Sequence, residues 1–469
     1  MALPVDTSLL AASRRSPLER VLCLFTDVRP GEGLTALVMM ANVFLILCAY
    51  YFVKPLRDGW IAIADIGGFS NVEVKAYTSF AQGLFLAGAV SLYAHLAGRW
   101  PRRQLIVRST LFCISNLVVF WVLRPGFLGQ QMSGVGVAFY IWVGMFGVFV
   151  VSQFWAFAAD LYPDERGQRL VPLIAIGATS GAVAGSFLTE ALLGSGVIES
   201  SALLLVAILP LIGSMLLTTL ADVRGPVGVG AGHATARPAA APPSGRPAGA
   251  LALVVRHRYL LAVAGVTLFT AWVQTNGENL LFKVVQDSLA AELVARGITN
   301  TVEMKAFVRE WTTVFYGNFF FWVNVSALGL QALLASRLLK YGGFGLILLL
   351  LPSLSLVTYS VMAFVPILLV VRVMKTAENS TAYSINNTAR QVLWLPTTAE
   401  MKYKAKPAIE TLFVRAGDGL AAATTLVGIH FLALTTRSYF LINVVLTVVW
   451  LLIAIDVVVE YRRIVKRSE

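Results

Sequence analysis

The chain has 469 residues, of which 57% are hydrophobic and 13% charged, and its formal net charge is +12. That is more apolar surface than a soluble core of this length can bury, which excludes a soluble globular protein. The two-residue alternation of a lipid-facing barrel is also missing. The basic excess matches cytoplasmic loops, where Lys and Arg collect because they resist translocation, and it requires no nucleic-acid partner.

Residues 1–33 read as a cytoplasmic N-terminal segment, too long and too polar ahead of the first apolar run to be a cleaved signal peptide. Within it Leu18, Val21, Leu22 and Phe25 recur at helical spacing, which predicts a short amphipathic helix on the membrane surface. Twelve apolar runs of about 20 residues then follow, each long enough to cross a bilayer. They fall at 34–55, 73–97, 104–123, 134–160, 169–193, 200–221, 258–286, 307–336, 343–364, 366–393, 407–432 and 438–460. The expected fold is an all-α polytopic membrane protein. An N-terminal six-helix bundle occupies 34–221 and a C-terminal one 253–462. A Gly/Pro/Ala-rich cytoplasmic linker, 222–252, joins them, and 463–469 is a tail. Arg14, Arg15, Arg20, Arg99, Arg102, Arg103, Arg337, Lys340, Arg462 and Arg463 fall on one side of this arrangement, so both termini are expected to be cytoplasmic.

The first span ends in YYFVKPLRDGW, with Lys54, Arg57 and Asp58 where hydrocarbon gives out. Pro55 lacks a backbone donor and is expected to bend or end the helix, freeing carbonyls beside Lys54. Span seven ends comparably, with Lys283 and Asp287. An interfacial anchor explains both lysines, and so does an anion site built from both halves. Arg57 fits the interfacial role better.

Span seven also carries Asn276, Gly277 and Glu278. An Asn-Gly pair inside an apolar run predicts either a local break that exposes backbone to a ligand or a kink packed on a neighbour. In span ten, Arg372, Thr376, Asn379, Tyr383, Asn386 and Arg390 fall within about 60° of one another on a continuous helix, flanked by Lys375. Lipid cannot face such a stripe, because each charge at the bilayer centre costs roughly 3 kcal/mol or more. Either the stripe lines a water-filled path, or it is a structural seam in which Glu378 neutralises Lys375 or Arg372. Lys54, Lys283, Arg372 and Lys375 lie at similar depth. Together they suit a polyanion such as a phosphorylated solute, with lysine acting as a point charge and arginine as a fork. Arg415 and Asp418, three residues apart, read as a self-contained ion pair.

No catalytic motif and no metal-ligand spacing stands out, and there is no GxxxxGK[ST] phosphate loop of an ATP-driven pump. Three cysteines without paired spacing suggest no disulfide framework. Gly177, Gly181 and Gly185 form a small-xxx-small face suited to close helix packing.

Three segments are similar to a known family. They are RPGEG with AYYFVKPLRD (residues 29–33 and 49–58), DLYPDERGQRLVPLIAIGATSGAVAGS (160–186) and ARQVLWLPTTAEMKYKAKPAIETLFVRAGD (389–418). They resemble the bacterial nucleotide transporters, the ATP/ADP antiporter group of the major facilitator superfamily. The resemblance implies a major facilitator fold of twelve helices in two bundles and alternating access. It also implies no bound cofactor, a small anionic nucleotide-like substrate, and a monomer in the bacterial inner membrane. The family's first-helix lysine maps to Lys54. Together with the polar residues read from the spans, the expected substrate-binding set is Lys54, Arg57, Asn276, Glu278, Lys283, Arg372, Lys375, Asn379, Tyr383, Asn386 and Arg390, serving transport rather than catalysis. Two alternatives remain open: an exporter of another anionic metabolite, and a non-transporting membrane sensor or assembly protein of the same fold.

Overall fold

The computed structural model describes residues 28–224 and 247–468, apart from 98, 101, 129–133, 163, 197 and 399, together with residues 17, 19 and 23. The expected surface helix through Leu18, Val21, Leu22 and Phe25, and linker residues 225–246, lie outside the described residues.

Helices cover every expected span. They are α1 (Gly33–Ile61), α2 (Asn71–Ala97), α3 (Arg102–Val122), α4 (Val135–Leu161), α5 (Asp164–Gly194), α6 (Ile208–Arg224), α7 (Arg258–Arg296), α8 (Thr301–Leu330), α9 (Ser336–Phe364), α10 (Leu368–Tyr383), α11 (Ile385–Val392), α12 (Val414–His430) and α13 (Thr436–Ser468). Among the described residues, nine helical stretches are long and apolar enough to cross a membrane, and a helix pair bent by 105° beside His257 supplies a tenth candidate. Helices satisfy all their backbone groups internally, which is what a hydrocarbon surrounding demands.

Contacts divide the described chain into two units. One comprises residues up to Lys54, Val90–Arg124 and Val143 onward to Arg224. The other comprises Pro55–Ala89, Pro125–Trp142 and the residues from Pro247 on.

In the first unit, the glycines of α5 lie directly against the backbone of α1. A methyl group on Gly177 would meet the Met40 carbonyl, one on Gly181 the Phe44 carbonyl, and one on Gly185 the Cys48 carbonyl at 2.7 Å. The small-residue face read from the sequence is thus a backbone-to-backbone contact. A buried amide network ties α1 to α6. The Ser214 hydroxyl donates to Asn42 Oδ1 at 2.6 Å, and Asn42 Nδ2 donates to Thr218 Oγ1 at 2.8 Å. α1 does not end at Pro55 but runs on to Ile61. The proline removes the donor that would have reached the Tyr51 carbonyl. Thr189 Oγ1 of α5 donates to that carbonyl at 3.2 Å, so the group expected to await water or substrate is bound by protein.

Ahead of α1, Glu32 accepts from Arg166 Nε at 2.9 Å, Arg169 Nη1 at 3.0 Å and the Arg29 amide at 3.1 Å. Burial opposes ionisation of Glu32. The hydrogen bonds from Arg169, the Arg29 amide and Arg166 outweigh it and hold the carboxyl below its ordinary range.

In the second unit α7 packs on α12 and α13, α9 on α13, and α8 on α10. The expected ion pair forms, Arg415 Nη1 to Asp418 Oδ2 at 2.8 Å, and Thr275 Oγ1 of α7 also donates to Asp418 at 2.8 Å.

Two measurements check these contacts. Gly181→Val should lower stability by about 1–3 kcal/mol through overpacking, whereas Gly194→Ala, where a methyl meets open space, should be near neutral. Thermal unfolding in detergent reads both. A depressed carboxyl contributes stability above its unfolded-state pKa and loses it as pH falls through the folded value. The wild-type midpoint should therefore drop as the pH is taken down through and below the ordinary carboxylate range. In Glu32→Gln the midpoint at neutral pH should be lower and this acid-side loss smaller.

Candidate functional site

The charged residues inside the second unit converge where α7, α9 and α10 meet. α7 is a single helix of 39 residues that continues through Asn276 and Gly277, so of the two readings open there the local break does not form. The chain bends instead beside His257, ahead of α7. Gly277 answers a different need. A methyl at that position would strike the Tyr359 hydroxyl and come within 2.7 Å of Lys375 Nζ. The glycine lets α9 and α10 bring polar groups against the α7 backbone.

Those groups form one ionic cluster. Lys375 is 1% exposed and Glu378 is 0% exposed. Lys375 Nζ lies 2.5 Å from Glu378 Oε2 and 3.4 Å from Glu278 Oε1. The Ser355 hydroxyl donates to Glu378 Oε1 at 2.8 Å, the Tyr359 hydroxyl reaches both Glu378 oxygens at 3.0 Å, and Asn379 Nδ2 donates to Glu278 Oε1 at 2.8 Å. Of the two readings open for Lys375, the pairing with Glu378 is the one formed. An ammonium here is met by carboxylates and neutral donors, an arrangement that holds charge inside a bundle.

The stripe predicted along span ten is shared between two helices. α10 stops at Tyr383, because Ser384 adopts φ −108° and ψ −83°, and α11 restarts at Ile385. On α10, Arg372 Nη2 donates to Asn318 Oδ1 and lies 5.9 Å from the Phe315 ring centre, while Asn379 is buried in the cluster. Tyr383, the last residue of α10, is 46% exposed; past the break, Asn386 is buried and Arg390 is exposed.

A second cluster lies at the end of α1. Asp58 Oδ1 pairs with Lys75 Nζ at 3.0 Å, and both side chains are almost wholly buried. Lys75 Nζ also lies 3.4 Å from the Tyr316 hydroxyl and 4.3 Å from the Phe282 ring centre. Gly59 permits the approach, since a methyl there would hit the Thr313 hydroxyl and come within 2.8 Å of the Arg309 carbonyl. Arg57 is partly buried, 3.4 Å from Asp58 Oδ2 and 4.6 Å from the Tyr140 ring centre. Nearby, Ser70 and Glu73 form a capping box on α2, and Glu73 Oε1 meets His430 Nε2 at 2.6 Å. Lys54, in the other unit, is buried with its Nζ 5.0 Å from the Tyr51 ring centre and 5.7 Å from that of Tyr50.

The remaining expected residues are Asn276 and Lys283. Asn276 is buried and donates to Asn443 Oδ1 at 3.1 Å, while Lys283 pairs with Asp287 at 3.1 Å in a more open setting. Sequence reading missed Ser355 and Tyr359, hydroxyl residues in an apolar run with no charge to mark them. It also missed Lys75, which the polar start of α2 disguised as interfacial.

No protein-family model matches the chain, and no curated protein matches it in sequence. Solved structures match it in fold. A POT family transporter in complex with a thioalcohol-conjugated peptide is 12% identical with a TM-score of 0.61, covering 94% of this chain and 98% of that one. The nucleoside transporter NupG is 13% identical with a TM-score of 0.56, covering 90% and 98%. The human organic anion transporter MFSD10 (TETRAN) is 12% identical with a TM-score of 0.53, covering 91% and 100%. The chain has the major facilitator fold. In that fold the solute path runs between bundles near the midplane, the depth at which charge buried in helices is hardest to retain without a partner.

The ionic cluster makes a stability prediction. Glu378→Gln leaves the Lys375 ammonium short of its nearest counter-ion and should cost about 3–5 kcal/mol, while the double variant Lys375→Met/Glu378→Met should regain much of the loss. Unfolding midpoints of the purified variants decide it. Equal destabilisation by the single and double changes would show that the pair does not act as a unit.

Proposed function

We propose that the protein is a secondary active transporter that moves an anionic, nucleotide-like solute across the bacterial inner membrane. Both termini are cytoplasmic, and bundles 34–221 and 253–462 alternate access to the solute. The observation that carries this reading is the buried Lys375–Glu378 pair, with the half-buried Glu278 beside it, within a major facilitator fold. Ionisable groups kept inside membrane bundles mark solute and ion paths. Neighbours of the same fold include transporters of nucleosides, organic anions and peptides.

The substrate class rests on the residues. The KPLRD stretch and the two longer segments resemble the nucleotide transporters, and Lys54, Arg57, Lys283, Arg372 and Lys375 supply cations. Two of these ammoniums are carboxylate-bound, Lys283 by Asp287 and Lys375 by Glu378 and Glu278. A phosphate binds there by exchanging places with a carboxylate, which couples occupancy to helix movement. The Asp58–Lys75 and Glu73–His430 contacts tie the ends of α1 and α2 to α8 and α12, so opening that end requires breaking them. The remaining expected residues, Asn276, Asn379, Tyr383, Asn386 and Arg390, line the same path in this reading. Export of another anionic metabolite is the alternative reading, favoured by the likeness to an organic anion transporter.

Reconstituted protein should exchange labelled ATP or ADP across vesicles preloaded with nucleotide. Lys54→Gln and Lys283→Gln should each reduce exchange about tenfold or more, the worth of roughly 1.4 kcal/mol. Arginine at either position should rescue in part, because its fork does not reproduce an ammonium. Uptake of other organic anions with no nucleotide exchange would replace the nucleotide reading by the alternative. Near wild-type exchange by both glutamine variants would return the two lysines to the role of anchors.

A further inference from the structure

The helix Pro247–Arg256 belongs to no span. It meets α7 beside His257 at a bend of 105°. A spanning helix such as α7 tilts by roughly 20° on average, so an element set across it runs along the bilayer surface. Its faces divide as that position requires. Val254 is fully buried, while Leu251 and Val255, one turn apart, are 37% and 69% exposed with Ala252 beside them. Water would penalise that apolar edge, whereas the boundary between headgroups and acyl chains accepts it.

Basic residues gather beside this edge. The helix packs on the wide π turn Met401–Ala405 and on Lys406–Ala408, the segments that carry Lys402, Lys404 and Lys406. Glu400 ties the two elements electrostatically. Lys404 Nζ binds it at 2.9 Å, and its carboxyl is held below the ordinary range by Lys404 and, more weakly, by His257. Lys404 is thus paired. Lys402 and Lys406 meet neutral groups: Lys402 Nζ the Leu395 carbonyl at 3.5 Å, and Lys406 Nζ the Gln391 amide oxygen at 3.4 Å. Among the described residues no carboxylate pairs with Arg256, Lys402 or Lys406, whereas the neighbouring Arg258 is taken by Asp456 at 2.7 Å. Arg256 and Lys402 are exposed and Lys406 is half-buried. Three cations without an internal counter-ion therefore border an apolar edge that lies along the membrane. A lipid that is anionic at its head and apolar below it matches both features. A free anion would leave the apolar edge uncovered, and a lipid of no net charge would leave the cations unmet.

We propose that this surface docks anionic phospholipid, with Leu251, Ala252 and Val255 set in the acyl boundary and Arg256, Lys402 and Lys406 on headgroup phosphates. Such docking holds the entry to α7, the helix that carries Gly277 and Glu278, at a fixed depth. The surface requires only that α7 crosses the bilayer, and it is independent of the solute that the protein carries.

The test places the full chain in vesicles of phosphatidylcholine, with and without phosphatidylglycerol. It reads amide hydrogen exchange over 249–256 and, by native mass spectrometry, the phosphatidylglycerol retained. In wild type, phosphatidylglycerol should slow exchange there about fivefold or more, the worth of one well-placed cation, and added salt should erode the effect. Arg256→Gln/Lys402→Gln/Lys406→Gln should lose most of the protection and of the retained lipid, while Arg256→Lys/Lys402→Arg/Lys406→Arg should keep both. Arg337→Gln/Lys340→Gln/Lys466→Gln removes three exposed cations elsewhere and should also keep both. Equal exchange in the two lipid mixtures overturns the proposal. So does an equal loss in the two glutamine triples, which would leave only a diffuse attraction to basic loops. If inorganic phosphate reproduces the protection in phosphatidylcholine vesicles, the cations serve a free anion and the lipid docking is wrong. If the first glutamine triple fails to fold, Lys402→Gln alone and the salt dependence of wild type decide: loss of protection in both supports the docking, and persistence in both overturns it.

Discussion

A lysine ammonium sealed inside a membrane bundle has to be met by a carboxylate, and much of the second unit follows from meeting that of Lys375. Its charge lies against Glu378 on the same helix and Glu278 on α7, so α7 and α10 are fixed in register by electrostatics as well as by packing. Glu378 in turn recruits Ser355 and Tyr359 from α9. A half-satisfied cluster would be worse than an apolar core, because low dielectric strengthens each bond and raises the cost of each missing one. The result is a polar knot shared by α7, α9 and α10.

Glycine provides another constraint, and it operates in two ways. On α5, Gly177, Gly181 and Gly185 remove side chains so that the backbone of α1 can approach. Association in lipid lacks a hydrophobic drive between helices, so close van der Waals contact has to supply the attraction. On α7, Gly277 removes a side chain so that a hydroxyl and an ammonium can approach. The α5 glycines build the scaffold and Gly277 builds the site. Sequence spacing announces the scaffold glycines, since three of them recur every four residues. Gly277 instead reads as a helix break, because an isolated Asn-Gly pair carries the same letters whether the chain bends there or is merely approached.

The candidate site was legible in its ingredients more than in its arrangement. Lys375, Glu278, Asn379 and Glu378 stand out as polar letters in apolar runs, and they do converge. Arg372, Asn386 and Arg390 also share a helical face by periodicity. One non-helical residue, Ser384, separates Arg372 from the other two. Periodicity assumes an unbroken helix, and nothing local to Ser384 betrays the break. Pro55 shows the opposite error. Its chemistry predicts an orphaned carbonyl, but the Thr189 hydroxyl that satisfies it comes from a helix more than a hundred residues away. Lys75 pairs with Asp58 rather than with solvent for the same reason: the burial that makes the pair belongs to Tyr316 and Phe282, far along the chain.

What the sequence determined by itself is what hydrocarbon imposes on any chain. Apolar runs of spanning length must be helices, and charges within them must turn inward. Those rules depend on local composition and on the absence of water, so they can be read residue by residue. What only the tertiary structure decided is which charge meets which. Glu378 could have neutralised either Lys375 or Arg372, and the packing gives it to Lys375. The choice depends on angles between helices and on single backbone positions such as Gly277 and Ser384, where a change of one side chain or one torsion redirects an entire polar face. Pairing energies fall off steeply with distance and rise steeply with burial. An ion pair is therefore a property of the packed bundle, and the letters that compose it fix only the charges available.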